Sequence, residues 1–124
     1  MAKLLVVDDE SSIRLLYAQE LADEGHDVTT AASTVEAAEK LQMEDFDLVV
    51  LDIKLRNESG LDLLQKIVKE RHEMPVILCT AFSFYKDDFS AWLADGYVVK
   101  SSDLTELKEE IKRVLAKKSV RREA

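Results

Sequence analysis

Four apolar runs in this chain each stop at a residue able to do polar chemistry. Leu4-Leu5-Val6-Val7 runs into Asp8-Asp9, Leu48-Val49-Val50-Leu51 into Asp52, Val76-Ile77-Leu78-Cys79 into Thr80, and Tyr97-Val98-Val99 into Lys100. Continuous apolar runs of this length read as buried parallel strands. In open α/β sheets, chemistry sits beyond the carboxyl ends of the strands. Three acids, a hydroxyl and an amine are therefore expected at one sheet edge. Like charges crowded in one pocket are costly to keep ionised, and a hard divalent cation offsets that cost. Oxygen-only ligands favour Mg²⁺, with Mn²⁺ as an alternative, over zinc. The main-chain carbonyl of Lys54, two residues past Asp52, is a further candidate ligand. A carboxylate held in such a pocket can attack a phosphoryl group and form an aspartyl phosphate. Lys100 would clamp the phosphoryl group from another side, and Thr80 would donate a hydrogen bond to it. Ala81 is small enough to leave its main-chain N–H approachable.

The elements that must position these groups alternate along the chain. Strands are expected at about residues 3–7, 27–31, 47–51, 75–80 and 96–100, and helices at about 11–24, 34–43, 59–71, 84–94 and 103–117. This βα alternation predicts an α/β fold with a parallel sheet covered by helices on both faces. Ile13, Leu16 and Leu21 stripe the first helix, and Gly25 suits its C-terminal stop. Ser33-Thr34-Val35-Glu36 reads as a capping box. Leu61, Leu64 and Val68 stripe the third helix. Asp103 and Glu106 open the last, whose stripe is Leu104, Leu107, Ile111, Val114 and Leu115.

Length and charge narrow the function classes. The chain of 124 residues suits one domain with one core, so residues 1–124 are read as a single domain with a short basic tail after about residue 117. Seventeen basic against twenty-five acidic residues give a net charge of −8, which disfavours direct binding to nucleic acid or anionic lipid and suits protein partners. No apolar run approaches the roughly 18 residues of a membrane span, and no basic-then-apolar leader opens the chain; a cytoplasmic location is expected. A lone cysteine, Cys79, excludes an internal disulfide, and it reads as a packed small residue. His26 and His72 read as surface histidines.

Together, Asp8-Asp9, Asp52, Thr80-Ala81 and Lys100 resemble the receiver domain of bacterial two-component response regulators. The resemblance covers essentially the whole chain. It is carried mainly by Leu4-Leu5-Val6-Val7-Asp8-Asp9-Glu10 and Asp47-Leu48-Val49-Val50-Leu51-Asp52-Ile53-Lys54, with Gly60 at a family glycine position. It implies a flavodoxin-like, doubly wound (βα)5 fold with strand order 2-1-3-4-5. Asp52 is then the phosphoacceptor from a histidine kinase or histidine phosphotransfer protein. Asp8 and Asp9 are the metal acids, Lys100 the phosphate-pairing lysine, Thr80 the switch hydroxyl and Tyr97 the rotameric aromatic. Phosphorylation would shift the populations of a two-state surface. The kinase would meet the first helix and the loops around Asp52. The output partner would use the face formed by the fourth helix, fifth strand and fifth helix, with dimerisation on phosphorylation as one use of it. Six of the eight aromatics, from Phe82 to Tyr97, fall in that region.

Two departures from the family pattern stand out. The segment Lys54-Leu55-Arg56-Asn57-Glu58-Ser59-Gly60 lacks the customary proline, which suggests a looser loop. Lys100 is followed by Ser101 where the family has proline after a cis bond, and the Lys100–Ser101 bond is expected to stay cis despite a cost of about 2.5–4 kcal/mol. Phe82, two residues past Thr80, is expected to shield the acyl phosphate from water.

Other classes fit less well. A haloacid-dehalogenase-like phosphatase wants a second aspartate at the position of Lys54. A nucleotide or flavin binder wants a Gly- or Ser/Thr-rich loop where Asp8-Asp9-Glu10 stands. An unphosphorylated docking domain has no need of the intact set. The expectation is a signalling module whose only chemistry is its own phosphoryl transfer and loss.

Overall fold

The computed structural model describes residues 2–71, 73–81, 92–101 and 103–123, with side chains as far as residue 117. Elements run in the order β1 (Lys3–Val7), α1 (Ser11–Asp23), β2 (Asp27–Ala31), α2 (Thr34–Met43), β3 (Leu48–Leu51), β4 (Lys54–Leu55), β5 (Glu58–Ser59), α3 (Gly60–Glu70), β6 (Val76–Thr80), β7 (Gly96–Val99) and α4 (Thr105–Glu123). The main sheet has order β2-β1-β3-β6-β7, and every pair in it is parallel. Counting the long strands alone, this is the expected 2-1-3-4-5 order.

The inner strands β1, β3 and β6 are buried on both faces, which is why they read as unbroken apolar runs. Leu5, Val7, Val49, Leu51, Val76 and Leu78 point to one face and pack with Leu41 of α2 and Leu64 and Ile67 of α3. The alternate residues, Leu4, Val6, Leu48, Val50, Ile77 and Cys79, pack with Tyr17 and Leu21 of α1 and Leu107, Ile111 and Val114 of α4. That alternation is the period of two inherent in a strand.

The helix ends follow local chemistry. Ser33 Oγ accepts the Glu36 N–H at 3.1 Å, as the capping box requires, while the Glu36 carboxylate accepts the Ala32 N–H at 3.4 Å. Gly25 has φ of 93°, the left-handed conformation expected after a helix. Asp103 accepts the Thr105 N–H at 2.9 Å where α4 begins.

Four expectations are corrected. In α1, Leu16 is 41% exposed and Tyr17 is 2% exposed, so the inward stripe is Ile13, Tyr17 and Leu21, each four residues apart. The last helix runs on to Glu123, because nothing between 117 and 123 breaks a helix and the basic residues there are good helix formers. The proline-free segment after Asp52 closes into a small antiparallel hairpin, β4–β5, instead of a loose loop. No cis peptide bond occurs among the described residues, so the Lys100–Ser101 bond is trans, the form that non-proline residues overwhelmingly prefer. Phe82, Phe84, Tyr85, Phe89, His72 and nearly all of the expected helix at 84–94 lie outside the described residues.

Candidate functional site

Register brings the strand ends together. Val7 of β1 lies opposite Leu51 of β3, so Asp8 and Asp52 emerge side by side. Thr80 pairs with Val99, which places Lys100 one step beyond it. The main chain continues these pairings past the strands. The N–H of Asp8 donates to the Ala31 carbonyl at 3.1 Å, that of Asp52 to Val7 at 3.0 Å and that of Lys100 to Thr80 at 2.7 Å. The site residues are therefore held by sheet geometry and not by free loops.

One oxygen from each of Asp8, Asp9 and Asp52 can lie within 4.8 Å of the others. Asp8 and Asp52 are buried, and Asp9 is half-buried. The Lys100 ammonium sits between the first two, with Nζ 2.6 Å from Asp8 Oδ2 and 2.9 Å from Asp52 Oδ2. The other Asp8 oxygen accepts the Glu10 N–H at 3.0 Å.

Burial raises the Asp52 pKa above the ordinary carboxylate value, against the opposing pull of Lys100 and of the Lys54 main-chain N–H that donates to it. Burial would lower Lys100, but its hydrogen bonds to Asp8 and Asp52 win and hold it above the usual lysine value. One ammonium thus serves two buried acids without offsetting the full cost of burying Asp52. A pocket with this surplus of negative charge favours an added cation.

Thr80 is fully buried, and its hydroxyl has no hydrogen-bond partner among the described residues. An unpaired buried hydroxyl costs about 1–3 kcal/mol, and such groups cluster where function requires them. Oxygen-only acids beside an amine and an unsatisfied hydroxyl suit a divalent metal and a phosphoryl group together. Ala81 is exposed next to Thr80, and Tyr97 is half-buried on β7, packed against the core cluster shared with α2 and α3. Lys54 opens β4 with its side chain exposed.

Sequence reasoning missed two supports of this site, Arg14 and Tyr17, while Cys79 and Gly60 take the places it expected. Arg14, one turn into α1, donates from Nη1 to the Asp8 carbonyl at 2.7 Å and braces the turn bearing both acids. Tyr17 lies beneath the site, its hydroxyl 3.5 Å from Cys79 Sγ. Burial pushes the Cys79 thiol up to about 11, so it stays protonated and unreactive near neutral pH. Gly60 is required sterically, because a Cβ there would stand 1.9 Å from the Asp52 carbonyl oxygen. Gly60 carried a sequence signal in its spacing of eight from Asp52, and Cys79 in its place within an apolar run; Arg14 and Tyr17 carried none.

Residues 4–112 match the family model for the response regulator receiver domain. Among curated proteins, the alkaline phosphatase synthesis transcriptional regulatory protein PhoP of Bacillus subtilis is 32% identical over 123 residues, covering 95% of this chain and 50% of that protein. The chain spans about half the length of the first curated relatives it matches. Among solved structures, the response regulator TrrA of Thermotoga maritima in complex with Mg²⁺-BeF is 45% identical with a TM-score of 0.88, covering 91% of this chain and 98% of that one. TrrA in complex with the histidine kinase ThkA gives 45% identity and a TM-score of 0.87, covering 93% and 99%. Among the described residues, no helix is long and apolar enough to cross a membrane. With its sheet order, its acidic edge and a family match over most of its length, the chain belongs to the response regulator receiver domain family.

Proposed function

We propose that Asp52 is the phosphoacceptor of this phosphorylation-controlled signalling switch, with a histidine kinase or histidine phosphotransfer protein as donor. The observation that carries the reading is the Lys100 ammonium bridging Asp8 and Asp52 at the same sheet edge as Thr80, whose buried hydroxyl has no partner among the described residues. A carboxylate oxygen of Asp52 forms the new bond to phosphorus while the donor's P–N bond breaks, its electron pair leaving on the imidazole nitrogen. Asp8, Asp9 and Asp52, with the Lys54 main-chain carbonyl, would hold Mg²⁺, or Mn²⁺ in its place. The metal's contribution when bound is to neutralise charge on the phosphoryl oxygens. Lys100 then pairs with one phosphoryl oxygen, the Thr80 hydroxyl donates to another, and the Ala81 N–H is within the same edge. Thr80 gains a partner in this state, which gives the switch a local driving force.

Tyr97 follows Thr80 inward and reports the change on the face that includes β7 and α4. A downstream protein, or a second copy of the chain, reads that face; nucleic acid and membrane are not direct partners of this domain. The chain turns over no external substrate, and a phosphomonoester assay with no turnover is the expected result. The reading is tested by titrating beryllofluoride with Mg²⁺ while recording amide NMR spectra. Mg²⁺-dependent shifts at Asp52, Thr80, Ala81 and Tyr97 are expected, and an unchanged spectrum would overturn it.

A further inference from the structure

The hairpin after Asp52 is too small to hold itself. It has two residues per strand, with Lys54 opposite Ser59 and Leu55 opposite Glu58, and an isolated hairpin is marginal even when far longer. Its base is closed by the Gly60 N–H donating to the Ile53 carbonyl at 2.6 Å. Its turn is Arg56-Asn57, with Asn57 at φ of 60°, a left-handed value that asparagine tolerates.

The far end of the hairpin is fastened elsewhere. The Glu58 carboxylate accepts the Thr34 N–H at 2.7 Å and the Thr34 hydroxyl at 2.6 Å. Both bonds are short and charge-assisted, the strong kind. Thr34 is the first residue of α2, whose opening N–H groups have no partner inside the helix and whose dipole favours an anion. The local cap does not compete for this amide, since Ser33 takes the Glu36 N–H and Glu36 takes that of Ala32. Glu58 therefore completes the end of a helix 24 positions earlier in the chain.

From Glu58 the route to the site is short. Its cross-strand partner Leu55 is buried in the core cluster with Ile53 and Leu61. The residue before Leu55 is Lys54, whose main-chain N–H favours the ionised Asp52 carboxylate, and Gly60, directly after β5, packs against the Asp52 carbonyl. A hairpin free to swing would carry that N–H, and the neighbouring carbonyl, away from the acid.

We infer that Glu58 is a positioning residue for phosphoryl transfer: fastened to Thr34, it holds the Lys54 main chain against Asp52. The inference rests on the reading of Asp52 as acceptor. The latch does here what a proline in this segment would do by stiffening the chain.

The test measures the rate of aspartyl-phosphate formation from acetyl phosphate over a range of Mg²⁺ concentrations. Wild type, Glu58→Met, Glu58→Gln, Thr34→Val, the Glu58→Met/Thr34→Val double variant and Asp52→Asn are compared, with Tm recorded for each. Glu58→Met is expected to lower the limiting rate about tenfold, within the loss that misplacing a reacting group by an ångström causes. Glu58→Gln still accepts the Thr34 N–H and should remain within about threefold of wild type. Thr34→Val, which loses only the hydroxyl bond and keeps its bulk, should fall about threefold. The double variant should be no slower than Glu58→Met alone, because both changes break one connection.

Amide exchange at Lys54 should accelerate in Glu58→Met, a change that a loss of global stability alone would spread over the core amides as well. Wild-type rates in Glu58→Met and Thr34→Val, or equal slowing in Glu58→Gln and Glu58→Met, would overturn the inference while leaving Asp52 as acceptor. An adduct absent from wild type, or present on Asp52→Asn, would overturn the reading beneath it.

Discussion

Replacing Gly60 with alanine tests how tightly the chain is drawn around the phosphoacceptor. The new Cβ would stand 1.9 Å from the Asp52 carbonyl oxygen, 2.9 Å from the Asp52 carbonyl carbon and 3.1 Å from Ile53 Cα. Carbon and oxygen approach only to about 3.3 Å, so the two backbone segments must part by roughly 1.4 Å. That movement breaks the 2.6 Å bond from the Gly60 N–H to the Ile53 carbonyl, at a cost of about 1 kcal/mol. Overpacking adds about 1–3 kcal/mol, and the better helix propensity of alanine at the start of α3 returns up to about 1 kcal/mol. The net loss is about 2 kcal/mol. At about 2.1 cal/mol/K of unfolding entropy per residue, the chain loses about 8 °C in Tm. The displaced Asp52 should accept a phosphoryl group at least about tenfold more slowly. Calorimetry and acetyl-phosphate labelling read the two effects. A variant that melts within about 2 °C of wild type and labels at the same rate would refute the close approach.

Other outcomes follow from the same geometry. Lys100→Met leaves the side chains of Asp8 and Asp52, 3% and 7% exposed, without their cation. Urea denaturation with chelator present should show a loss of about 3–5 kcal/mol, of which Mg²⁺ at a hundredfold excess over Kd restores about 2.7 kcal/mol; a loss that ignores Mg²⁺ would contradict the metal assignment. Because burial raises the Asp52 pKa in the fold, its ionised form destabilises the native state above that pKa, and the penalty fades as pH falls toward the ordinary value of 3.8. Asp52→Asn in chelator at pH 7 should therefore gain about 0.5–2 kcal/mol, and the gain should shrink on acidification; a gain that grows on acidification would reverse the sign. Ser33→Ala removes the cap that holds the Glu36 N–H and should cost about 1 kcal/mol, leaving phosphorylation rates unchanged.

The parts of this molecule that could be read ahead of the structure are those where burial repeats along the chain. Leu48–Leu51 is buried on both faces, so four apolar letters suffice to name a strand, and the polar residue that follows must lie at the sheet edge. Asp8, Asp52, Thr80 and Lys100 were legible for that reason. The first helix was harder. Leu15, Leu16 and Tyr17 are all large, and only tertiary packing chooses Tyr17 for the interior while Leu15 stays 70% exposed. The hairpin escaped because strands of two residues carry no periodicity. The Glu58–Thr34 latch joins residues 24 apart, where one sequence offers no pairing signal. The trans Lys100–Ser101 bond shows the limit of resemblance: once proline is absent, the ordinary amide preference returns, and the lysine still reaches both acids.

Phosphoryl acceptance by Asp52 at a divalent-metal site underlies every functional role proposed above. Intact mass after incubation with acetyl phosphate and Mg²⁺, for wild type and Asp52→Asn, tests it most directly. One added phosphoryl group is expected on wild type, none on Asp52→Asn, and none on either protein with chelator present. An adduct on Asp52→Asn, or one formed equally well without metal, would contradict it.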